Sequence, residues 1–276
     1  NNYMTAEIEI IPFMPEHLDG ALRLSEQVNW PHRKEDWALM LDISEGVVAI
    51  NDGQVVGTAL TTLFGSDVAT SNMIIVEQEM QGRGLGRQLM DEILSTAMGR
   101  ESRLVATDIG LPLYTKLGFE VTGRVTQHQG NMGIVSTMDD RCEWDDAPDF
   151  DALCALDRAA CGMDRHRLIQ ALIDAGKVAV IRERGTIIGF AILRDFGGRQ
   201  AVGPVICDDI ETAKSLLTFV FASRTEGFYA CRYPRRVRPL SLADRHGIGA
   251  CWKTCAHDVE STPDEPRRVC QNFCVG

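Results

Sequence analysis

The chain has 276 residues and a formal net charge of −11, with 45% hydrophobic and 24% charged side chains. This length suits two domains, and this composition excludes disordered and collagenous classes. No apolar run approaches the ~18 residues of a transmembrane helix. The negative charge disfavours nucleic acid and anionic membranes as partners. Nine cysteines, an odd number, without an export signal indicate reduced thiols and a cytoplasmic address.

Hydrophobic periodicity predicts a mixed α/β domain in the first half of the chain. In chain order we expect a strand at 7–11, helices at about 15–28 and 34–41, a hairpin at 47–62, a strand at 72–76, a helix at about 84–98, a strand at 104–107, a short helix at 111–117 and strands from 119 onward. Leu85, Leu89 and Ile93 recur at four-residue intervals, so one face of the long helix should pack on the sheet.

A segment of the first half recurs at a constant offset of 132 residues. Val47–Leu60 is echoed by Val178–Leu193, and each copy has the pattern of two β-branched runs around a short turn that contains glycine. We therefore expect two copies of one fold, residues 1–138 and 139–276. The polar, acid-rich stretch at 137–147 suits a linker between them.

The clearest chemical signal is a glycine-rich stretch that leaves a predicted strand at Val76 and enters the long helix. Its residues are Gln81, Gly82, Arg83, Gly84, Leu85, Gly86 and Arg87. Residues without a Cβ let the backbone approach an anion closely, and the first N–H groups of a helix have no partners within it. With the two arginines, a net acidic chain could hold a phosphate here.

Two common nucleotide motifs do not fit this spacing, because the P-loop lysine is missing and the glycines fall at 82, 84 and 86. The order Gln-x-x-Gly-x-Gly resembles the coenzyme A loop of the GNAT superfamily of N-acetyltransferases. Asp108–Phe119, with Tyr114 four residues before Gly118, resembles the later signature of that family. Asn29-Trp30, Cys161–Arg165 and Gly203-Pro204 resemble a GNAT subgroup that carries a second, divergent domain.

The resemblance implies an α/β fold of tandem GNAT-like domains, each a central mixed, mostly antiparallel sheet flanked by helices. It implies an N-acetyltransferase that moves the acetyl group of acetyl-CoA, without a metal, to a primary amine of a small molecule or peptide by direct attack in a ternary complex. The residues that it implies for coenzyme A binding are Ile74, Ile75, Val76, Gln81, Gly82, Arg83, Gly84, Leu85, Gly86, Arg87 and Tyr114.

The same resemblance assigns chemical roles. Val76 or its immediate neighbour is expected to offer an N–H group to the thioester oxygen, and Tyr114 to protonate the departing thiolate. The base for the amine stays open among Glu26, His32, Glu77 and Asp108, of which Glu26 and Glu77 could act through water.

The acceptor wall is expected near the second helix. We assign Asn29 and Trp30 to acceptor binding, because an aromatic face can attract an ammonium group. Trp37 is expected in the core. A noncatalytic acyl-CoA sensor is the alternative function, and the presence of Tyr114 argues against it.

The second copy lacks the features of the loop. Its counterpart, Cys207–Lys214, has no glycine and three acidic residues, and Ala243 stands where the first copy has Tyr114. We expect this half neither to bind coenzyme A in the same manner nor to catalyse, but to wall the cleft or to form an oligomer contact, for example a homodimer. A zinc site is not expected from the spacing of the late cysteines and histidine, which are Cys251, Cys255, His257, Cys270 and Cys274.

Overall fold

The computed structural model describes residues 7–131, 138–223, 228–234 and 267–274, with side chains at 7–122 and 138–223. The chain divides into two compact units, residues 1–120 with 264–269 and residues 121–263 with 270–276. This division lies before the boundary expected after residue 138, which stays a prediction.

The main elements of the first unit are five strands and four α-helices. They are β1 (Glu9–Pro12), α1 (Leu18–Gln27), α2 (Lys34–Asp42), β2 (Glu45–Asn51), β3 (Gln54–Phe64), β4 (Val68–Val76), α3 (Leu85–Thr96), β5 (Glu101–Ala106) and α4 (Leu111–Lys116). Short 3-10 turns at Pro15–His17 and Gln78–Met80 precede α1 and the glycine-rich stretch. The predicted mixed α/β architecture is confirmed, although β4 begins four residues earlier than its apolar run indicated.

The sheet of the first unit has the order β1-β2-β3-β4-β5, antiparallel except for the last pair. Neighbouring residues of a strand point to opposite faces. Accordingly, Val55 joins a cluster with residues of α1 and α2, while Val56 joins one with residues of α3 and α4. The sheet is thus covered by helices on both faces.

The second unit repeats this plan. Its elements are β7 (Cys142–Asp145), α5 (Phe150–Cys161), α6 (His166–Ala175), β8 (Gly176–Glu183), β9 (Thr186–Phe196), β10 (Arg199–Cys207), α7 (Ile210–Ala222) and β11 (Phe228–Pro234). Its strands run in the order β7-β8-β9-β10-β11, again with a parallel last pair. The pair Gly57↔Val76 of the first unit has its counterpart in Gly189↔Cys207.

One further strand departs from a simple repeat. β6 (Phe119–Asn131) follows the first copy along the chain, yet from Val121 onward it belongs to the second unit and pairs antiparallel with β11. β12 (Arg267–Cys274) is the last strand among the described residues. Across the part of the chain that the structure describes, no helix combines the length and the apolar character needed to span a bilayer.

Candidate active site in the first unit

The glycine-rich stretch connects the end of β4 to the start of α3. Gly82 has φ +76° and Gly84, directly before the helix, has φ +83°. Both angles lie in the left-handed region that favours glycine. A Cβ at either position would meet nothing within 4 Å. Backbone conformation, rather than space within the protein, therefore accounts for these two glycines, and their outer side is open to a ligand.

Gly86 has a different reason to lack a side chain. Its φ is not in the left-handed region, but a Cβ there would lie 3.3 Å from Leu113 Cδ2 and 3.7 Å from Val76 Cγ2. The missing side chain lets the first turn of α3 approach α4 and the end of β4. Gly86 therefore brings three elements of the site into contact.

The start of α3 leaves backbone donors available. Arg87 and Gln88 both donate their N–H groups to the Gly84 carbonyl oxygen at 3.1 Å. The N–H groups of Leu85 and Gly86 find no acceptor within the described part of the chain. Unpartnered donors and the positive end of the helix macrodipole favour an anion at this position.

The polar side chains of the glycine-rich stretch differ in their contacts with the rest of the protein. Gln81 donates from Nε2 to the Val76 carbonyl oxygen at 3.1 Å, which ties the loop to the strand end. Arg83 is exposed. Arg87 lies 3.7 Å from Asp91, and both side chains are more than half exposed, so this ion pair restrains it weakly. Both arginines can turn toward a bound anion.

β4 parts from β5 beside this loop. Their parallel pairing runs from Val68↔Glu101 to Ser71↔Leu104, and no later pair joins them within the described residues, although β4 continues to Val76. Ile74 and Val76 pack with the α3 cluster and Ile75 with the α1 cluster. Within the described residues, the end of β4 therefore has no ladder pairing with β5.

Tyr114 lies on α4 with 7% of its surface exposed. Its ring packs edge-on against Phe119 at 6.1 Å, and a Cβ on Gly110 would come within 2.8 Å of Tyr114 Cε2. The hydroxyl forms no hydrogen bond with any described residue, yet it is not among the fully buried polar atoms that lack a partner. Desolvation raises the pKa of Tyr114 to about 12, so the phenol stays protonated at neutral pH.

The candidate bases are placed in different surroundings. Oε1 of Glu77 accepts from Arg23 Nη1 at 2.7 Å and from Gln27 Nε2 at 3.4 Å. Arg23 also donates to the Val55 carbonyl oxygen at 2.6 Å, and thereby joins α1 to β3 and to the end of β4. Glu26 is exposed on α1, and Asp108 is exposed in the loop after β5.

Sequence reasoning missed Arg23, since a single arginine on an amphipathic helix carries no recognisable pattern. Only the fold places it next to Glu77.

The predicted acceptor residues lie at the end of α1. Asn29 is exposed with φ +57°, and Trp30 is half-buried. His32 stands between two tryptophans, with ring centroids 5.4 Å from Trp30 and 6.3 Å from Trp37. Trp37 is fully buried and donates from Nε1 to Ser25 Oγ at 3.1 Å. Trp37 is thus a core residue, whereas Trp30 is only partly buried against the same cluster.

In the second unit, the side chain of Asp209 caps the N-terminus of α7. Asp209 precedes this helix and accepts from the Thr212 N–H at 2.8 Å and from the Thr212 hydroxyl at 2.7 Å. These hydrogen bonds lower the pKa of Asp209, so an anionic side chain stands where the first unit has open glycines. That this unit binds no coenzyme A stays a prediction.

Other expectations fall outside the described side chains. The part of the chain with described side chains has no group of three or more His, Cys, Asp or Glu residues that could hold a metal ion. The late cysteines and His257 lie beyond it, as does Ala243. Cys142, Cys154, Cys161 and Cys207 are free thiols.

Family models support both halves of the chain. One model of an acetyltransferase (GNAT) domain matches residues 42–121, and a second model of such a domain matches residues 153–238. The uncharacterized N-acetyltransferase YitH of Bacillus subtilis (strain 168) is 30% identical over 223 residues, which are 78% of this chain and 79% of YitH.

Solved structures share the fold at low sequence identity. A protein from Pyrococcus horikoshii, provisionally assigned as an acetyltransferase, has a TM-score of 0.73 at 19% identity, over 86% of this chain and 82% of that one. A tandem GNAT protein from the clavulanic acid biosynthesis pathway has a TM-score of 0.61 at 14% identity, over 89% and 96%. The chain therefore belongs to the GNAT acetyltransferase family and carries two GNAT domains in tandem.

Proposed function

We propose that this protein is an N-acetyltransferase that uses acetyl-CoA to acetylate a primary amine, and that the first unit is the active one. One observation carries the proposal. The contacts around Gly86 bring the parted end of β4, the unpartnered N–H groups of α3 and the helix that bears Tyr114 beside one another. A backbone anion site, an open strand and a protonated phenol are together what acyl transfer from a thioester requires.

The loop suits the diphosphate of coenzyme A. The free N–H groups of Leu85 and Gly86 and the open space outside Gly82 and Gly84 form an anion cradle, with Arg83 and Arg87 as mobile counter-charges. Bound acetyl-CoA supplies an acetyl thioester. The unpaired edge of β4 from Asn72 to Val76 can hydrogen-bond the amides of the pantetheine arm in the manner of a neighbouring strand.

Tyr114 is proposed as the acid. As the amine nitrogen forms its bond to the acetyl carbon and the carbon–sulfur bond breaks, the sulfur takes a proton from the phenol. Burial keeps that proton in place at neutral pH, because the pKa is raised to about 12. Acid assistance of this kind contributes about 10²- to 10⁴-fold in rate.

Glu77 is the better placed base. It directly follows β4, and the two donors from α1 both bond to Oε1, so Oε2 has no donor among the described residues. That oxygen can accept the amine proton directly or through water. Glu26, exposed on α1, remains the competing candidate, with Trp30 and Asn29 proposed to contact the amine's own substituent.

The test is release of free thiol from acetyl-CoA with a panel of primary amines, with tertiary amines as the unreactive control. We expect turnover by the wild type, and a fall in kcat of about 10²- to 10⁴-fold for Tyr114→Phe, which should still bind CoA through the loop. Tight CoA binding without thiol release for any amine would instead support the acyl-CoA sensor. Absence of CoA binding would refute both functions.

A further inference from the structure

β4 contains a bulge next to the place where it leaves β5. Leu60 pairs with Asn72 and Thr58 pairs with Ile75, so two residues of β4, Met73 and Ile74, lie opposite Ala59 alone. Met73 has φ +53°, a left-handed conformation that residues other than glycine rarely adopt. Such conformations persist where surrounding contacts hold them, and they cluster at functional sites.

A buried hydroxyl group forms a hydrogen bond to this bulge. The Thr58 hydroxyl donates to the Met73 carbonyl oxygen at 2.7 Å, and Thr58 is fully buried. The peptide between Met73 and Ile74 is trans, and in a planar trans peptide the carbonyl and the following N–H point in opposite directions. By fixing the Met73 carbonyl, Thr58 therefore directs the Ile74 N–H away from itself.

Comparison of the two repeats shows that the hydroxyl of Thr58 is not required for a bulge to form in this fold. At the offset of 132 residues the second unit has Phe190, which is fully buried, in place of Thr58. Phe190 pairs with Ile206, and β10 also carries a bulge, at Gly203 and Pro204, which lies opposite Ile192 and thus one residue farther along the strand than in the first unit. A bulge therefore forms in this fold without a hydroxyl at that position. Only the unit with the open glycine loop and Tyr114 has the hydroxyl.

We propose that Thr58 is a positioning residue that orients the Ile74 N–H, instead of the N–H of Val76 or its immediate neighbour expected from the sequence, toward the thioester oxygen of acetyl-CoA. This inference rests on the proposed function. Ile74 comes three residues after the last β4–β5 pair, so within the first unit no strand pairing takes up the β5 side of the chain there. As the amine attacks, negative charge develops on the acetyl oxygen, and an N–H group already aimed at it stabilises that charge without reorganisation.

The experiment compares two losses of the hydroxyl, Thr58→Val and Thr58→Ala, with Thr58→Ser, which keeps it. Thr61→Val is the matched control, because Thr61 lies on the same strand, is equally buried, and its hydroxyl has no partner within the described residues. The first readout is the infrared stretching frequency of carbon-13-labelled acetyl carbonyl in the binary complex, which needs no acceptor. The second is kcat and KM with the best amine of the panel.

We expect the wild type, Thr58→Ser and Thr61→Val to lower the carbonyl frequency relative to free acetyl-CoA, and Thr58→Val and Thr58→Ala to lose most of that shift. Their kcat should fall about 10- to 100-fold, less than the 10²- to 10³-fold of a fully deleted oxyanion donor, with CoA affinity unchanged. A full shift in Thr58→Val or Thr58→Ala, or a lost shift in folded Thr58→Ser, would overturn the inference. If the wild type does not bind acetyl-CoA, the proposed function itself fails.

Discussion

The glycine immediately before α3 allows a direct test of the anion cradle. In Gly84→Asp the new side chain projects into open space, since a Cβ meets nothing within 4 Å, but the φ of +83° strains any residue with a Cβ. Asn and Asp tolerate that conformation better than most residues. Gly84→Asn is therefore the matched variant: it carries the same shape and the same strain without the charge.

The size of the effect follows from Coulomb's law. With about 5 Å between the carboxylate and one phosphate charge, and an effective dielectric constant of about 20, the repulsion is about 332/(20 × 5), or roughly 3 kcal/mol. At about 1.4 kcal/mol per tenfold change in affinity, Gly84→Asp should bind CoA roughly a hundredfold more weakly than Gly84→Asn. The ratio should shrink as salt is added.

Isothermal titration calorimetry with CoA gives both affinities, and circular dichroism confirms that the variants are folded. Gly53→Asp is a further control, because Gly53 has a similar φ of +76° and equally open surroundings but lies in the β2–β3 turn. It should leave CoA affinity unchanged. If Gly84→Asp and Gly84→Asn bind CoA equally, the diphosphate does not lie at the start of α3, and the reasoning is wrong.

Two further predictions concern titrating groups. In an absorbance titration at alkaline pH, one of the four tyrosines should ionise near pH 12, and Tyr114→Phe should remove that late phase. The pKa of Tyr114 in the folded protein is raised above its ordinary value of 10. The stability that Tyr114 contributes is therefore present below pH 10 and is lost as the pH rises toward 12. Loss of an early phase instead would contradict the burial of Tyr114. Asp209→Ala should cost about 1 kcal/mol through the lost helix cap and lower Tm by about 2–4 °C at neutral pH. The pKa of Asp209 is lower in the folded protein than in the unfolded chain. Its contribution to stability is therefore present above the unfolded pKa and is lost as the pH falls through the folded pKa. The Tm values of wild type and variant should converge in acid, and a constant Tm difference down to low pH would contradict this.

Periodicity and glycine spacing predicted most of the first unit. The apolar face of α3 and the hairpin of β2 and β3 are local patterns, and each is satisfied by short-range geometry. The three glycines of the loop were also recognisable in the sequence, but the physical reason that each position requires glycine was not. Gly82 and Gly84 adopt positive φ angles, while Gly86 lies close to Leu113. A contact between distant segments has no signature in a single sequence.

The contacts that refine the candidate site depend on register. Thr58 reaches the Met73 carbonyl only because β4 has one residue more than β3 between their paired positions, and Arg23 reaches Glu77 across 54 residues of chain. Neither pairing follows from hydrophobic pattern. The contrast of Thr58 with Phe190 at the repeat offset was available in the sequence, yet it gains meaning only once the bulge is known.

The path of β6 bears on how the two halves can be separated. Residues 125–131 pair with β11, so a fragment that starts at residue 139 would deprive the second sheet of a neighbour and expose the N–H and C=O groups of β11. Bare strand edges of this kind recruit other chains and aggregate. Expression of the C-terminal half from about residue 121 keeps that strand. A cut at the boundary suggested by the sequence repeat would therefore remove a strand from the second sheet, whereas a cut near residue 121 would leave that sheet intact.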